Sequence, residues 1–404
     1  MKFVSSIRIG ILLAAGASCG HGSTATPGPG DGGAPISDGG ATDALPAKDT
    51  APVVMLPAPH GYKLPQLHAR AATQLCLAGE TLPEKISDSG CYTDLPGKTV
   101  SADLLPYEVM SPLWTDGAIK MRYLSVPPGK QISFDASGGW EFPVGSVLLK
   151  EFRLRMVAGD PKSDLLVETR IMLKRESGWL FGGYKWNETG SDAQLVKQTH
   201  FVPFAVPTAA SAAPLQYGYP AERECSTCHS SAIINAFGPS TIQLAGMVSY
   251  DGQPKEQIDA LTEIGLFVGA RPPAPERKLV DPLDATQPLE ARARSWLHAN
   301  CSHCHQPGGW SSPGMTMDLR YTTDLGKAEI CNVDTQYIVQ IPRIKAGDAR
   351  GSAIWRRITS PNIDRMPPIG TSTVDPAIEV VRQWIDSIAE CPPRIRRDPL
   401  ATLP

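Results

Sequence analysis

Two five-residue strings constrain this chain more than anything else in it: Cys225-Ser-Thr-Cys228-His229 and Cys301-Ser-His303-Cys304-His305. Both fit Cys-x-x-Cys-His, the attachment pattern for c-type haem. The chemistry sets the spacing. Two thiols about one helical turn apart can each add to a vinyl group on one edge of a porphyrin, and the next residue then sets an imidazole nitrogen beneath the iron. One match could arise by chance; two predict two covalently bound haem c groups, with Cys225, Cys228, Cys301 and Cys304 as thioether sites and His229 and His305 as iron ligands.

Paired cysteines serve two other chemistries. A zinc site made from both pairs leaves unexplained why a histidine follows each pair directly, and its halves would ordinarily be tens of residues apart, not the 76 between Cys225 and Cys301. A thioredoxin-like dithiol expects a βαβ pattern around it, and neither string has one.

The N-terminus governs how the other five cysteines read. Lys2 and Arg8 give a basic start, and Ile9 to Ala17 form a short apolar core ending in small residues, so residues 1–18 are expected to be an export signal. The run Ala15-Gly16-Ala17-Ser18-Cys19 resembles a bacterial lipobox, with Gly16 where leucine is preferred. It predicts a lipid anchor at Cys19, with simple cleavage as the alternative. Residues 19–59 are dominated by Gly, Pro, Asp, Ala and Thr and hold no aromatic side chain, the composition of a disordered tether. The expected location is therefore the periplasm or cell envelope. In that oxidising setting Cys76 is expected to pair with Cys91 and Cys331 with Cys391, since crossed pairs would staple distant parts of the chain; buried free thiols are the alternative. Beyond the N-terminus no apolar run approaches the roughly 20 residues a membrane span needs. A net charge of −3 offers no basic surface for nucleic acid.

A chain of 404 residues is expected to be multidomain. Residues 60–205 read as β-rich: Val167, Thr169, Ile171 and Leu173 alternate with Glu168, Arg170, Met172 and Lys174, the pattern of a strand with one face in water. Trp179 to Trp186 follows Gly178 as the second half of a hairpin, and Val147 to Val157 is another strand. A sandwich or jelly-roll-like domain is expected. Residues 206–284 and 285–395 are expected to be mainly α cytochrome c segments around haem 1 and haem 2. A helix over 288–300 has Pro288 in its first turn and Leu289, Ala293, Trp296 and Leu297 on one face. Another is opened by Asp375-Pro376, with Ile378, Val381, Ile385 and Ile388 as its stripe. Between them Arg365-Met366-Pro367-Pro368 fixes the backbone beside a methionine. Met366 is the expected sixth ligand of haem 2, against the commoner fate of a core methionine.

Haem 1 is less constrained. Only Pro220-Ala-Glu-Arg-Glu224 precedes its motif, and the next helix covers 255–264, with Ile258, Leu261 and Ile264 inward and Gly265 as cap. Met247 is the candidate for its sixth position, with His200, His298 or an open site as rivals. Met315 and Met317 are expected near haem 2, and His303 is expected to be exposed.

Several further strings resemble a known family: Ser111-Pro-Leu-Trp-Thr-Asp-Gly-Ala118, Trp140-Glu-Phe-Pro-Val-Gly145, Lys150-Glu-Phe152, Glu168-Thr-Arg170, Tyr184-Lys-Trp-Asn187, Thr241-Ile-Gln-Leu244, Arg292-Ala-Arg294 and Asn300. Together they resemble exported bacterial di-haem c-type cytochromes that carry a β-rich domain ahead of two haem segments. The stretch from Gly347 to Ile385 is similar to cytochrome c domains of planctomycete proteins. The resemblance implies iron ligation by His229, His305 and Met366 and names no substrate; Ala245 stands where relatives have Asn.

The leading functional expectation is electron transfer between redox partner proteins of the cell envelope. A thioether opposite histidine favours Fe(II), so haem 2 is expected to be the higher-potential centre. The alternatives are a haem enzyme, peroxidase-like or dehydrogenase-associated, whose β domain binds substrate, and a docking module. Trp114, Asp116, Trp140, Trp179, Trp186 and Asn187 are either groove residues for such a substrate or, more commonly, aromatic and turn residues of a β core.

Overall fold

The longest alternating runs of the chain, between residues 147 and 186, become the centre of its sheet. A computed structural model describes residues 66–395 apart from 80, 135–138, 208–213, 230–238, 308, 310–315, 337–339, 362–363 and 369–372, with the backbone alone for Thr227 and Cys228. The expected export signal (1–18), Cys19, the expected tether (19–59) and Met315 lie outside the described residues. The strands are β1 (Tyr92–Asp94), β2 (Thr99–Val100), β3 (Leu105–Tyr107), β4 (Ile119–Ser125), β5 (Ser133–Phe134), β6 (Trp140–Glu141), β7 (Val147–Arg155), β8 (Asp164–Arg175), β9 (Gly178–Trp186), β10 (Ala193–Leu195), β11 (His200–Phe204), β12 (Leu215–Tyr219), β13 (Met247–Tyr250) and β14 (Gln253–Glu256). The helices are α1 (Glu222–His229), α2 (Thr241–Leu244), α3 (Gln257–Glu263), α4 (Leu289–Cys301), α5 (Ala353–Thr359) and α6 (Ile378–Ser387).

Six strands form one antiparallel sheet in the order β10-β9-β8-β7-β4-β3. Each pairs with its neighbour along the chain, the β5–β6 ribbon being inserted between β4 and β7. Gly178 turns the chain from β8 into β9 at φ 119°, a conformation that costs glycine little. The expected sandwich or jelly roll is not what forms: the remaining described strands make two-stranded ribbons, so no second broad sheet packs on the first.

One sheet face buries Met121, Tyr123, Leu149, Ile171, Tyr184 and Trp186 against the loop closed by the Cys76–Cys91 disulfide. The opposite face holds the alternate residues, and here the sequence expectation needs correcting. Glu168 is fully buried, with Tyr217 from beyond residue 205 donating to it, and Arg122 is 5% exposed. The alternation is real, but its polar half faces protein.

The expectation of mainly α haem domains also fails. The described chain is mostly β, with six short helices making up 18%. The longest, α4, has 13 residues. The physical reason is proline: 38 of 404 residues, about twice the ordinary share of roughly 5%, remove helical N–H donors and clash with the preceding turn. Helices survive where the periodicity was strongest. In α4, Ala293, Trp296 and Leu297 are buried, with Pro288 one place earlier than expected, at the N-cap. In α6, Ile378, Val381 and Ile385 are buried, and these meet α4 and α5 in a core of their own. Asp375 caps the approach to α6 by accepting from the Ala377 N–H at 2.8 Å. The helix expected over 255–264 begins only at Gln257, since 253–256 is strand, and Gly265 follows it at φ 74° as anticipated.

Hydrogen bonds tie residues 206–284 to the β-rich part throughout. Ile132 donates to Leu266 O and Val268 to Ile132 O, each at 2.9 Å. Gln257, fully buried, accepts from Glu108 N at 2.8 Å and donates to Glu108 O at 2.9 Å, acting as a strand partner for β-rich backbone. Gln243 does the same for Ser111, at 3.1 and 2.8 Å.

Both expected disulfides are present, Cys76–Cys91 and Cys331–Cys391, closing sequence separations of 15 and 60. Loop-closure entropy assigns roughly 3 kcal/mol to the shorter and about 4 kcal/mol to the longer. Replacing Cys331 and Cys391 by serine is therefore expected to lower the urea midpoint more than replacing Cys76 and Cys91; equal shifts would show that chain entropy is not what these bridges contribute.

Candidate haem-attachment sites

The first motif lies on α1, whose short helix is just long enough to set Cys225 and His229 about one turn apart. His229 rests on the second sheet face, its ring 5.4 Å from that of Phe181 on β9. Burial, then the charges of Lys150, His303 and Arg170, bring its pKa down to about 3. At neutral pH its ring is therefore uncharged and keeps a lone pair for a metal.

The second motif begins at the last residue of α4. Cys304 and His305 both donate their backbone N–H to Cys301 O, at 3.1 and 2.9 Å, so the turn that carries the motif continues the helix. His305 is brought to about 4 by burial, then by His303, Arg343 and Arg357. Met366 N donates to Arg357 O at 2.9 Å. The Met366 side chain lines a cleft with Trp296 and Asn300 of α4 and Ile358 of α5, beside the turn that bears the motif. Arg357 thus borders both His305 and the segment of Met366.

Although 74 residues separate His229 from His303 in the chain, the His303 ring is close enough to lower the pKa of His229, His298 and His305 alike. The two motifs are neighbours in space. His303 is accordingly half-buried, not exposed as expected.

Three expected participants are placed elsewhere. Met247 opens β13 opposite Glu256 and is 62% exposed, whereas an axial thioether must sit buried over the iron, so Met247 is not brought into the site. His200 stacks on Tyr219 at 5.3 Å in the β11–β12 ribbon. His298 accepts from Tyr321 N through Nδ1 at 3.1 Å, which leaves the proton on Nε2 and no lone pair for iron. Met317 is buried in the α4–α6 core, as anticipated for a methionine near the second motif.

The tryptophans of the suggested groove are spent on structure. Trp140 is buried and donates to Thr241 Oγ1 at 3.0 Å, and Trp186 is buried and donates to Thr169 Oγ1 at 3.0 Å. Trp179 packs edge-on to Phe142, and Asn187 holds the turn before β10 by accepting from Ser191 N. Trp114 and Asp116 do something sequence reasoning missed. Trp114 N donates to Asn300 Oδ1 at 2.7 Å and Trp114 Nε1 to Thr373 O at 3.2 Å. Asp116 accepts from Thr373 N at 2.7 Å and Thr373 Oγ1 at 2.8 Å. Ser111 Oγ donates to Ser295 O at 3.0 Å. The loop from 111 to 116 therefore clamps α4 and the segment after Met366, and Asp116 reaches Thr373 from a left-handed backbone at φ 49°. The only available signal was that Ser111-Pro-Leu-Trp-Thr-Asp and Asn300 belonged to one resembling set.

The described residues of both motifs fit an attached haem. Cys225, Cys301 and Cys304 form no disulfide, and the two following imidazoles are uncharged. Burial pushes the Cys301 thiol up to about 12, the reverse of the depressed pKa that dithiol exchange requires. Among the described residues no three His, Cys, Asp or Glu side chains converge as ligands for a bare metal ion.

Comparison with protein-family models, with curated proteins and with solved structures finds no match for the chain.

Removing the carboxylate that holds Thr373 leaves two donors without their acceptor, at about 1–3 kcal/mol for a buried pair. Asp116→Ala is expected to lower stability by that amount in urea unfolding, and Asp116→Asn, which keeps one acceptor oxygen and tolerates the left-handed backbone, to lower it less.

Proposed function

We propose that the protein is a di-haem c-type cytochrome of the cell envelope that passes single electrons between redox partner proteins. Its haems are carried by Cys225 and Cys228 with His229, and by Cys301 and Cys304 with His305. The observation that carries this reading is that two Cys-x-x-Cys-His strings, each on a helical turn and each ending in a half-buried, uncharged imidazole, lie within electrostatic range of one another through His303. When bound, haem iron supplies a one-electron couple with little rearrangement.

The chain's own residues then have distinct tasks. His229 and His305 offer neutral nitrogen donors, and Phe181 limits where the His229 ring can lie. Met366, in a cleft lined by Trp114, Trp296 and Asn300, would hold the iron of haem 2 together with His305, and its soft sulfur would raise that centre's potential. The 111–116 loop and the α4–α6 core hold the second motif and Met366 against one body. Close approach of the two motifs suits consecutive one-electron steps within one molecule.

The export signal and a lipid anchor at Cys19 belong to the same reading: a redox carrier held at an envelope membrane by the 19–59 tether. No helix among the described residues is long and apolar enough to cross a membrane.

The test is intact mass and optical and magnetic spectroscopy of protein matured with haem-attachment machinery. Two covalent porphyrins and one low-spin His/Met centre are expected. Met366→Leu is expected to abolish the His/Met signature and lower that centre's potential, while both porphyrins stay attached. Absence of any added macrocycle, or bound zinc in its place, would overturn the reading.

A further inference from the structure

The second face of the sheet carries charges in an arrangement that is costly as it stands. Arg122 on β4 lies directly opposite Lys150 on β7, and Lys150 directly opposite Arg170 on β8. Three cations thus occupy one rung across three strands, and like charges opposite one another in a sheet repel. On the next rung, Lys120 faces Phe152 and Phe152 faces Glu168. An apolar rung of Leu124, Leu148 and Met172 closes the other side. Water reaches little of this charge: Arg122 is 5% and Lys120 8% exposed, and Lys150 is half-buried.

Partners cover only part of this charge. Glu168 takes Arg170 through two bonds of 2.8 and 2.9 Å and also accepts from Tyr217 at 2.7 Å. Lys120 Nζ donates to Leu113 O at 2.6 Å, a carbonyl and not an anion. Arg122 has a single bond, to Lys120 O at 3.4 Å. Lys150 Nζ has no carboxylate or carbonyl within reach among the described residues, only the face of Phe152 at 5.8 Å. Glu108 acts on Arg122 and Glu168 on Lys150 through space, with no bond from either cation to them, and a desolvated cation with no bonded anion is expensive.

The rung lies under the first motif. On β9 it continues as Gly183, where a Cβ would come within 3.1 Å of Pro220 O, so the chain entering α1 passes directly over it. Cys225 lies within electrostatic range of both Lys150 and Arg170. Burial, with Arg122 and Arg170 next, brings Lys150 down to about 7 against the opposing pull of Glu168.

We propose that Arg122 and Lys150, with Lys120 beside them, form an anion site for carboxylate groups, and that those carboxylates are the propionates of the porphyrin joined at Cys225 and Cys228. This rests on the haem reading above, which supplies the porphyrin; the need for an anion is set by the protein alone. Paired carboxylates on a planar ring suit a guanidinium and an ammonium spaced at the strand repeat. The site also explains why Lys150-Glu-Phe152 alternates as it does: Lys150 and Phe152 face the motif, while Glu151 points to the other face and accepts from Tyr92 at 2.8 Å.

The experiment uses matured full-length protein, with Lys150→Gln, Arg122→Gln and the charge-conserving Lys150→Arg. Intact mass counts porphyrins, resonance Raman reads the propionate bending bands, and potentiometry follows each haem. With two porphyrins retained, Lys150→Gln is expected to shift the bending band of one haem. It is also expected to lower that haem's ratio of reduced to oxidised form about tenfold at fixed potential, about 59 mV for one electron. Lys150→Arg is expected to shift the band less and keep the potential within about threefold. Unchanged propionate bands in Lys150→Gln and Arg122→Gln overturn the proposal and leave the haem reading intact. So does saturable binding of citrate or inorganic phosphate to the wild-type holoprotein that the same variants abolish, which would assign the cations to a free anion. A wild-type protein that carries no porphyrin fails the haem reading instead.

Discussion

The structure depends on the packing of α1 and the chain on either side of it against the second face of the six-stranded sheet. An antiparallel sheet with one apolar face needs only one covering layer. This sheet has two, because the side chains that alternation sends to the second face include Phe152 and Phe181 as well as Lys150 and Arg170, and all of them meet the segment that carries the first Cys-x-x-Cys-His string. The β-rich part is thus a floor for that motif, and the two could not be separated without exposing Phe152, Phe181 and the charged rung together.

A second dependence follows from the shortage of helix. Helices of 13, 7 and 10 residues build the core around the second motif, too little to hold that motif rigid alone. The missing constraint comes from across the fold. The 111–116 loop bonds to Ser295, Asn300 and Thr373, and two glutamines on the haem 1 side, Gln243 and Gln257, satisfy the backbone of 108–111. Loop backbone buried between three parts of the chain needs partners for its N–H and C=O groups, and these side chains provide them. The short strings that seemed weak singly are the pieces that touch: Trp140 meets Thr241, Gln243 meets Ser111, and Trp114 meets Asn300.

On the proposed reading, this arrangement would fix two redox centres in one body. The donor set requires uncharged imidazoles, and burial supplies that at both His229 and His305. His303, inside the second motif, is within electrostatic range of both, so a charge on either side of the pair is felt by the other. No helix swing or domain closure is needed for one-electron chemistry.

Local chemistry alone determined much of this protein. The two Cys-x-x-Cys-His strings are legible from spacing alone. The disulfides follow from compartment and separation, the hairpin of β8 and β9 from period-two alternation around Gly178, and α4 and α6 from their apolar stripes. Each is a matter of neighbours within a dozen residues or of a reactive group that has few uses. Only the tertiary structure decided the rest. Strand alternation cannot tell a face covered by protein from a face in water, so the burial of Glu168 and Arg122 was invisible. Methionine at position 247 reads like one at position 366 until one is found on the outer edge of a ribbon and the other in a cleft beside α4. Helical periodicity could not foresee how little helix the prolines would leave. The roles of Trp114 and Asp116 depend on partners more than 180 residues away, which no local pattern encodes.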